Sequence, residues 1–218
     1  MADAGDSGGE SEEVLRGMID SVDIVIPTCK PEEQIAGLKA EILSMAGMPC
    51  RVFATCLDAA AARNRNAGLD WAETAIVLMV DDDICKLPFG WAKRMVQVME
   101  EHPHCQMASP RLMRFDGRFG IMSGLPRNDQ RGCEVLPARE LCTACVAIRK
   151  TILRFDEQYI GSGFEDNDFC RQLAKENEGA EFICIHDLQV VHRNEMKNQG
   201  GKFWEANQAY YRKKWGLQ

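Results

Sequence analysis

Long apolar runs are missing from this 218-residue sequence. No stretch approaches the roughly 18–20 consecutive apolar residues that a membrane-spanning helix requires. The N-terminus also lacks the positive charge and apolar core of a signal peptide. Its small, acidic and glycine-rich residues predict a disordered leader over residues 1–13. We therefore expect a cytoplasmic protein without a transmembrane segment.

A second close pair of cysteines is also missing. The sequence has 10 cysteines, but only Cys142 and Cys145 form a Cys-x-x-Cys pair, and a zinc site built from such motifs needs a second pair at matching spacing. Without a secretion signal the thiols are expected to stay reduced. Buried thiols pack as small hydrophobic groups, so these two are predicted to be core residues.

The composition, with 45% hydrophobic and 27% charged residues, is that of a globular domain. Short apolar runs alternate with amphipathic segments as far as residue 109, which predicts an α/β fold with a mostly parallel sheet. Shorter strands and loops follow, so some strands are expected to be antiparallel. Strands are predicted over 22–27, 51–56, 75–80, 104–109, 141–148, 182–185 and 188–191, and helices over 32–46, 58–71, 88–101, 165–176 and 202–215.

Local signals predict where several of these elements begin. Asp58 suits the N-cap of the second helix, and Pro88 suits the first residue of the third. Residues 111–138 hold many glycines and prolines and show little periodicity, which predicts a long functional loop or a hairpin region. Residues 150–153 are predicted to form a short helical turn.

Three consecutive aspartates end the apolar run 75–80. Ligands of open α/β sheets bind at the carboxyl ends of strands, and clustered carboxylates attract hard cations such as Mg²⁺ or Mn²⁺. In an extended segment Asp81 and Asp83 point to the same side, whereas Asp82 points away towards the sheet or a neighbouring loop. A solvated turn or a helix cap is the alternative interpretation of the same residues.

Two further signals lie in the second half of the chain. Gly161 and Gly163 lead into the acidic start of a helix at Glu165 and Asp166, where a carboxylate could act as a general base. A simple capped helix is the alternative. His192 ends an apolar run and could meet Asp83 at a strand end, although a hydrogen-bonded structural histidine is the more common occurrence.

Excess arginine marks the region around residues 111–131. An arginine-rich loop could face an anionic partner, or it could pair with the acidic first part of the same chain. The arginines are Arg111, Arg114, Arg118, Arg127 and Arg131, opposed only by Asp116 and Asp129.

Taken in order, these segments resemble the family 2 glycosyltransferases of the GT-A fold over about residues 20–195. The resemblance rests on "VDIVIPT", on "ARNRNAGLDWAETAIVLMVDDD", on "CTACVAIRKTILRFDEQYIGSGFEDNDFCRQL" and on the closing "VVH". It implies a Rossmann-like GT-A domain over 14–218. The nucleotide-sugar part would span about 20–110, the acceptor-side part about 111–200, and a C-terminal helix about 201–218.

The resemblance also implies a chemistry. Asp83 and His192, with Asp81, would hold Mn²⁺ or Mg²⁺ against a nucleotide-sugar donor. Asp166 would be the general base of an inverting transfer, and Glu165 would hold sugar hydroxyls. The residues assigned to the donor are Pro27, Thr28, Asp58, Arg65, Asn66, Asp81 and Asp82.

The sequence departs from the family at two points. Where the family often has an acidic "DDGS" run after the second strand, this chain has Thr55-Cys56-Leu57-Asp58, so Asp58 is only a candidate contact of the base and the departure leaves the nucleotide open. A UDP-sugar is the expected donor. The "QxxRW" segment of processive polymerases is absent, which favours single transfers.

The acceptor and two competing functions stay open on the sequence. The acceptor could be a hydroxymethylated base in DNA, a glycan or a phospholipid-linked sugar. The C-terminal aromatic residues Trp204, Tyr210, Tyr211 and Trp215 either stack on that acceptor or belong to the core. The competing functions are a nucleotide-sugar-binding module without catalysis and a metal-dependent nucleotidyltransferase, which would need a glycine-rich phosphate loop or a basic signature near the first strand.

Overall fold

A computed structural model describes residues 19–118, 134–193 and 203–218. The predicted leader, residues 1–13, lies outside these ranges. The strands are β1 (Val22–Ile26), β2 (Cys50–Ala54), β3 (Ile76–Val80), β4 (Ile84–Cys85), β5 (Cys105–Arg114), β6 (Val135–Ala138), β7 (Cys145–Arg149) and β8 (Glu181–His192). The helices are α1 (Glu32–Met45), α2 (Ala61–Trp71), α3 (Trp91–Glu101), α4 (Glu165–Glu176) and α5 (Trp204–Lys214).

Within the described ranges the strands form one mixed sheet of eight. Its order is β2-β1-β3-β7-β5-β8-β4, and β6 pairs with β8 outside that path. The pairings β1–β2, β1–β3 and β5–β8 are parallel, whereas β7, β4 and β6 run antiparallel to their neighbours. Five strands thus point one way and three the other, which confirms the predicted mixed, mostly parallel α/β domain.

Helices cover both faces of this sheet. On one face Ile24 and Leu78 pack with Ile42 of α1 and Met95 of α3. On the other face the alternate strand residues, such as Val25 and Val77, pack with the helices α2 and α4. All five residues of β3 are buried because both of its faces are covered. The three aspartates therefore follow directly after the carboxyl end of a strand that is buried in the middle of the core.

Two predicted helix starts are wrong. Asp58 is exposed and does not cap α2, whose N-cap is Ala60 without a side-chain hydrogen bond. Pro88 lies in a turn before α3, since the amide of Trp91 donates to its carbonyl at 3.2 Å. Gly90, at φ 81°, is the N-cap of this helix. In both cases the residue that was expected to begin the helix belongs to the loop before it.

Two strands in the second half of the chain are longer than predicted, whereas β7, expected over 141–148, begins only at Cys145. The two short strands expected near 182–191 form the single strand β8, and β5 extends to Arg114 into the region expected to be a loop. β6 takes up another part of that region, β4 was not predicted, and the expected helical turn at 150–153 is absent. β5 and β8 lengthen each other because they pair along nearly their whole length.

None of the helices in the described ranges combines the length and the apolar character that crossing a bilayer requires.

Candidate active site

The acidic cluster lies where β3 leaves the sheet. The amide of Asp81 donates to the carbonyl of Ala144, just before β7, at 2.7 Å. A turn then brings the chain into β4, whose Ile84 pairs with His192 at the end of β8. The amide of Arg193 also donates to the carbonyl of Asp83 at 3.1 Å. This pairing brings the histidine to the aspartates although more than a hundred residues separate them in the sequence.

Three side chains of this edge could hold a metal ion. Asp81, Asp83 and His192 each offer a ligand atom, and these atoms lie within 4.8 Å of one another. The Nε2 atom of His192 lies 3.1 Å from Oδ1 of Asp83. Two carboxylates and an imidazole form a donor set that suits Mn²⁺ and can also hold Mg²⁺. The structure thus brings together the three residues that the sequence nominated as metal ligands.

Asp82 points away from that set. One carboxylate oxygen accepts the hydroxyl hydrogen bond of Thr28, and the other lies 2.7 Å from Nζ of Lys30. Both partners belong to the loop after β1. Asp82 thus points away from the metal set as predicted, although the triplet is not extended: Asp82 and Asp83 lie in a turn that the amide of Ile84 closes on the carbonyl of Asp81 at 3.1 Å. Asp82 ties the ends of β1 and β3 together.

Arg65 is buried beneath the acidic cluster and bridges its two halves. Its Nη1 atom donates to Oε1 of Glu165 at 2.8 Å and lies 3.8 Å from Oδ1 of Asp166. Its Nη2 atom lies 3.3 Å from Oδ1 of Asp81. The guanidinium also lies over the ring of Phe155, 5.7 Å from the ring centroid. One cation thus joins the metal-binding side of the site to the acidic start of α4.

The two acids that open α4 differ in their accessibility. Glu165 is buried, and its carboxylate accepts from Arg65 and from the amide of Gly163. Asp166 has 15% of its side chain exposed and accepts from the hydroxyl and, at 3.4 Å, from the amide of Thr143. Glu165 therefore holds the turn that precedes α4, whereas part of the Asp166 side chain remains exposed.

Burial shifts the titration of the enclosed acids. Burial raises the pKa of Asp81 to about 6, with Arg65 opposing the shift and Asp83 and Asp166 adding to it. Burial also raises the pKa of Glu165, and the charge of Asp166 raises it further while Arg65 lowers it. These carboxylates repel one another, and a cation at the open side of the cluster would relieve that repulsion.

The residues expected at the nucleotide do not all face an open site. Thr28 is buried and Pro27 half-buried at the end of β1, and Asp58 is exposed in the loop after β2. The side chain of Asn66 points elsewhere: it donates to the carbonyl of Phe155 at 2.9 Å and accepts from the amide of Phe155 at 2.8 Å. Asn66 thereby holds the segment that precedes α4.

Sequence reasoning missed two residues that shape the site. Thr143, which donates to Asp166, lies between Cys142 and Cys145. Both cysteines are buried free thiols, as predicted. Asn64 is buried and holds the loop after β2 through Leu57 and Ala59. A polar residue whose partner comes from another element has no periodic pattern in the sequence. The one local signal that could have indicated Asn64 is its spacing from Asn66 in α2.

The described arginines of the 111–131 region are engaged locally. Arg111 is buried with Nη1 2.5 Å from Nε2 of His186, while Arg114 and Arg118 lie 3.4 and 3.8 Å from the carboxylate of Asp116. Arg127, Asp129 and Arg131 lie outside the described residues.

Helix α5 packs against the glycine turn that precedes α4. A Cβ atom added to Gly161 would lie 2.8 Å from the ring of Phe203, and one added to Gly163 would lie 3.2 Å from Trp204. These glycines were predicted to let the backbone approach a ligand, but here they admit aromatic rings of the same chain. The interpretation of the C-terminal aromatics as core residues is therefore favoured.

Further contacts of α5 support that interpretation. Tyr211 is buried, Trp215 donates through Nε1 to Asp168 at 2.7 Å, and the hydroxyl of Tyr210 donates to Asp156 at 2.7 Å. These aromatic side chains are held by the acidic residues around α4.

Comparison with known proteins places the fold. No family model matches the sequence, and no curated protein matches it. A crystal structure of GalNAc-T7 with UDP, GalNAc and Mn²⁺ is similar at a TM-score of 0.60 and 10% identity, over 91% of this chain and 48% of that chain. S. aureus TarS 1-349 is similar at 0.51 and 17%, over 80% and 60%. A mycobacterial protein is similar at 0.62 and 12%, over 91% and 76%.

These similarities confirm the GT-A glycosyltransferase fold that the sequence predicted. At identities of 10% and 17% the likeness concerns the fold alone. This chain also spans only about half the length of the GalNAc-T7 chain and 60% of the TarS chain.

Proposed function

We propose that this chain is an inverting, metal-dependent glycosyltransferase of the family 2 type, which moves a sugar from a UDP-sugar to a hydroxyl acceptor. One observation carries the proposal: the ligand set Asp81, Asp83 and His192 and the accessible carboxylate of Asp166 lie at one edge of the sheet, joined by Arg65. A fold alone does not establish an activity. The chemistry of this edge is what supports a transferase.

The donor set fits a divalent cation. Two carboxylates and an imidazole within 4.8 Å offer the hard and borderline ligands that Mn²⁺ and Mg²⁺ accept. When bound, such an ion would neutralise the charge that develops on the leaving diphosphate. Asp83 and His192 lie 3.1 Å apart, whereas Asp81 also contacts Arg65. We assign the diphosphate of the donor to the ion that these three residues would hold.

The nucleotide is assigned to the carboxyl ends of β1 and β2. Thr28 and Asp82 form one wall of that region, with Pro27 beside them and Asp58 in the adjacent loop. Arg65 is held inside the acidic cluster, so its role is to position the acids that face the donor.

Asp166 is proposed to be the general base. Its carboxylate is accessible, and the hydroxyl and amide of Thr143 fix its orientation. It would take the proton of the acceptor hydroxyl as that oxygen attacks the anomeric carbon. Attack from the face opposite the leaving group inverts the configuration. Glu165 keeps Asp166 in place because its carboxylate accepts hydrogen bonds from the amide of Gly163, in the turn before α4, and from Arg65.

The acceptor is assigned only as a hydroxyl compound. A glycan, a phospholipid-linked sugar and a hydroxymethylated base in DNA are the classes to test, and cytoplasmic location remains our expectation. A donor-binding module without turnover is the second candidate. A nucleotidyltransferase is less well supported because Lys30, the basic residue of the loop after β1, is already paired with Asp82.

A donor screen tests the proposal. Purified protein with Mn²⁺ is offered a panel of nucleotide sugars together with acceptors of the three classes, and release of nucleoside diphosphate is measured. We expect turnover with one donor, and a loss of about 10²–10⁴-fold in Asp166→Asn, the usual contribution of a general base. Asp83→Asn should abolish the metal-dependent release of nucleoside diphosphate.

The control is Asp187→Asn, which changes an exposed aspartate paired with Arg94. Its activity should equal that of the wild type. Donor binding without release under any condition would instead establish the binding module. Absence of both donor and Mn²⁺ binding would refute the proposed function.

A further inference from the structure

Helix α5 holds the turn that precedes the acids of α4, and one buried side chain makes three hydrogen bonds to that turn. The Oδ1 atom of Asn207 accepts from the amide of Ile160 at 3.0 Å. Its Nδ2 atom donates to the carbonyls of Ile160 at 2.9 Å and Ser162 at 3.3 Å. Asn207 is only 2% exposed. A side-chain amide thus satisfies three backbone groups of one short turn, which a surface turn would leave to water.

That turn has a backbone conformation that needs support. Gly161 and Gly163 have φ values of 66° and 112°, and Phe164, which is not a glycine, has φ 70°. A bulky residue in this region is unfavourable on its own and persists when its surroundings hold it. Phe164 lies against Trp204 and Tyr211 of α5, at centroid distances of 4.7 and 5.4 Å.

The strained residue directly precedes the proposed chemistry. Phe164 is the N-cap of α4, and Glu165 and Asp166 are the first two helical residues. The amide of Gly163 donates to Glu165, and the carbonyl of Gly161 accepts from the amide of Ala61 at the start of α2 at 3.0 Å. A shift of the turn would therefore move the start of α4 with respect to Arg65 and the metal ligands.

We propose that Asn207 is a positioning residue for the transfer reaction: through the turn 160–164 it sets the position of Asp166. This inference rests on the proposed function. Asn207 would act independently of the metal ligands, because its side-chain hydrogen bonds go to the backbone of Ile160 and Ser162. Loss of its contacts should slow the chemical step while leaving metal and donor binding intact.

The test compares Asn207→Ala and the isosteric Asn207→Asp with wild type. The aspartate keeps the acceptor for the amide of Ile160 but turns a carboxylate towards two carbonyl oxygens, so packing is preserved while the contact is lost. We expect kcat to fall about 10–100-fold, as misplacement of a reacting group by about 1 Å does. The KM for the donor and the Kd for Mn²⁺ should change less than about twofold, since the residues proposed to hold the metal and the nucleotide do not belong to this turn.

Two measurements exclude trivial causes. The stoichiometry of Mn²⁺ binding counts the folded sites, so that a partly unfolded preparation is not taken for a slow enzyme. Hydrogen exchange at the amides of Ile160 and Gly163 reports the turn directly. We expect exchange at Ile160 to accelerate at least tenfold in Asn207→Ala, which removes its acceptor, and exchange at Gly163 to accelerate in both variants. The control Asn177→Ala removes a comparable side-chain bond at the far end of α4 and should change neither quantity.

The outcomes separate this inference from the proposed function. If wild type turns over no donor, the proposed function has failed, and unchanged exchange at Ile160 in Asn207→Ala would overturn the inference as well. If wild type is active and both variants keep its kcat, the inference is wrong although the proposed function stands. A parallel rise in the Mn²⁺ Kd and fall in kcat would also refute it, because the damage would then reach the metal set.

Discussion

Replacement of Arg65 by methionine should destabilise the protein most strongly at alkaline pH. Arg65 and Glu165 have 5% and 3% of their side chains exposed, and the guanidinium also contacts Asp81 and Asp166. Methionine fills much of the same volume but carries no charge. Arg65→Met therefore leaves three neighbouring carboxylates without their buried counter-ion.

The magnitude follows from that geometry. Removal of one partner of a buried ion pair costs about 3–5 kcal/mol because the other charge stays buried. For a chain of this size that loss corresponds to a decrease in Tm of roughly 6–20 °C. The cost is limited by protonation, since a carboxyl group that takes up a proton no longer needs the cation.

The pH dependence gives the sign of the effect. Burial and Asp166 already raise the pKa of Glu165 above its ordinary value of 4.5, so folding takes up a proton and stability falls as pH rises through that raised pKa. Removal of Arg65 raises the pKa further. The difference in unfolding free energy between Arg65→Met and wild type should be small near about pH 5, larger near about pH 8, and should still increase at higher pH.

Thermal unfolding at both pH values measures the effect. The control is Arg118→Met, which removes an arginine that is 78% exposed and should cost less than about 1 kcal/mol. Adding Glu165→Gln to Arg65→Met should recover part of the loss, since one of the stranded charges is then gone. Equal Tm values for Arg65→Met and Arg118→Met at about pH 8 would refute the reasoning.

Two more perturbations test contacts around the sheet edge. Thr143→Val removes the hydroxyl that donates to Asp166 and should lower kcat about two- to tenfold without changing the KM for the donor; steady-state kinetics check this, and an unchanged kcat would contradict the role given to Thr143. Asp23 is buried, and hydrogen bonds from Arg51 and from backbone amides outweigh burial to lower its pKa from 3.8 to about 2. The stability that its charge contributes is present above pH 3.8 and lost as pH falls towards 2. Asp23→Asn should therefore lower the urea-unfolding free energy at neutral pH but little near pH 2, and an equal loss at both would count against it.

Much of the fold could be predicted from local patterns of apolar residues in the sequence. The run 76–80 is apolar throughout because both faces of β3 are covered, and such a run is readable without knowledge of its neighbours. α1 begins and ends close to its prediction for the same reason, since the spacing of Ile35, Leu38 and Ile42 is local. Strand lengths in the second half were not readable, because β5 and β8 extend only through their pairing with each other.

The metal-capable set could be nominated from the sequence because its acids sit at a strand end and its histidine ends another strand. The sequence predicted from extended backbone that Asp82 points away from Asp81 and Asp83, whereas Asp82 and Asp83 lie in a turn closed by the hydrogen bond from the amide of Ile84 to the carbonyl of Asp81. What joined Asp83 to His192 was the pairing of β4 with β8, and β4 has only two residues. Such a short strand has no pattern of its own.

The sequence by itself determined the order of strands and helices apart from β4, β6 and the continuity of β8, together with the acidic end of β3 and the acidic start of α4, since each depends on residues close together along the chain. Only the tertiary structure decided what Arg65 and Asn207 do. The partners of Arg65 lie as far as 100 residues away, and those of Asn207 as far as 47. A buried polar side chain takes its role from the groups that folding brings within hydrogen-bond distance, and those groups leave no periodic trace in the sequence.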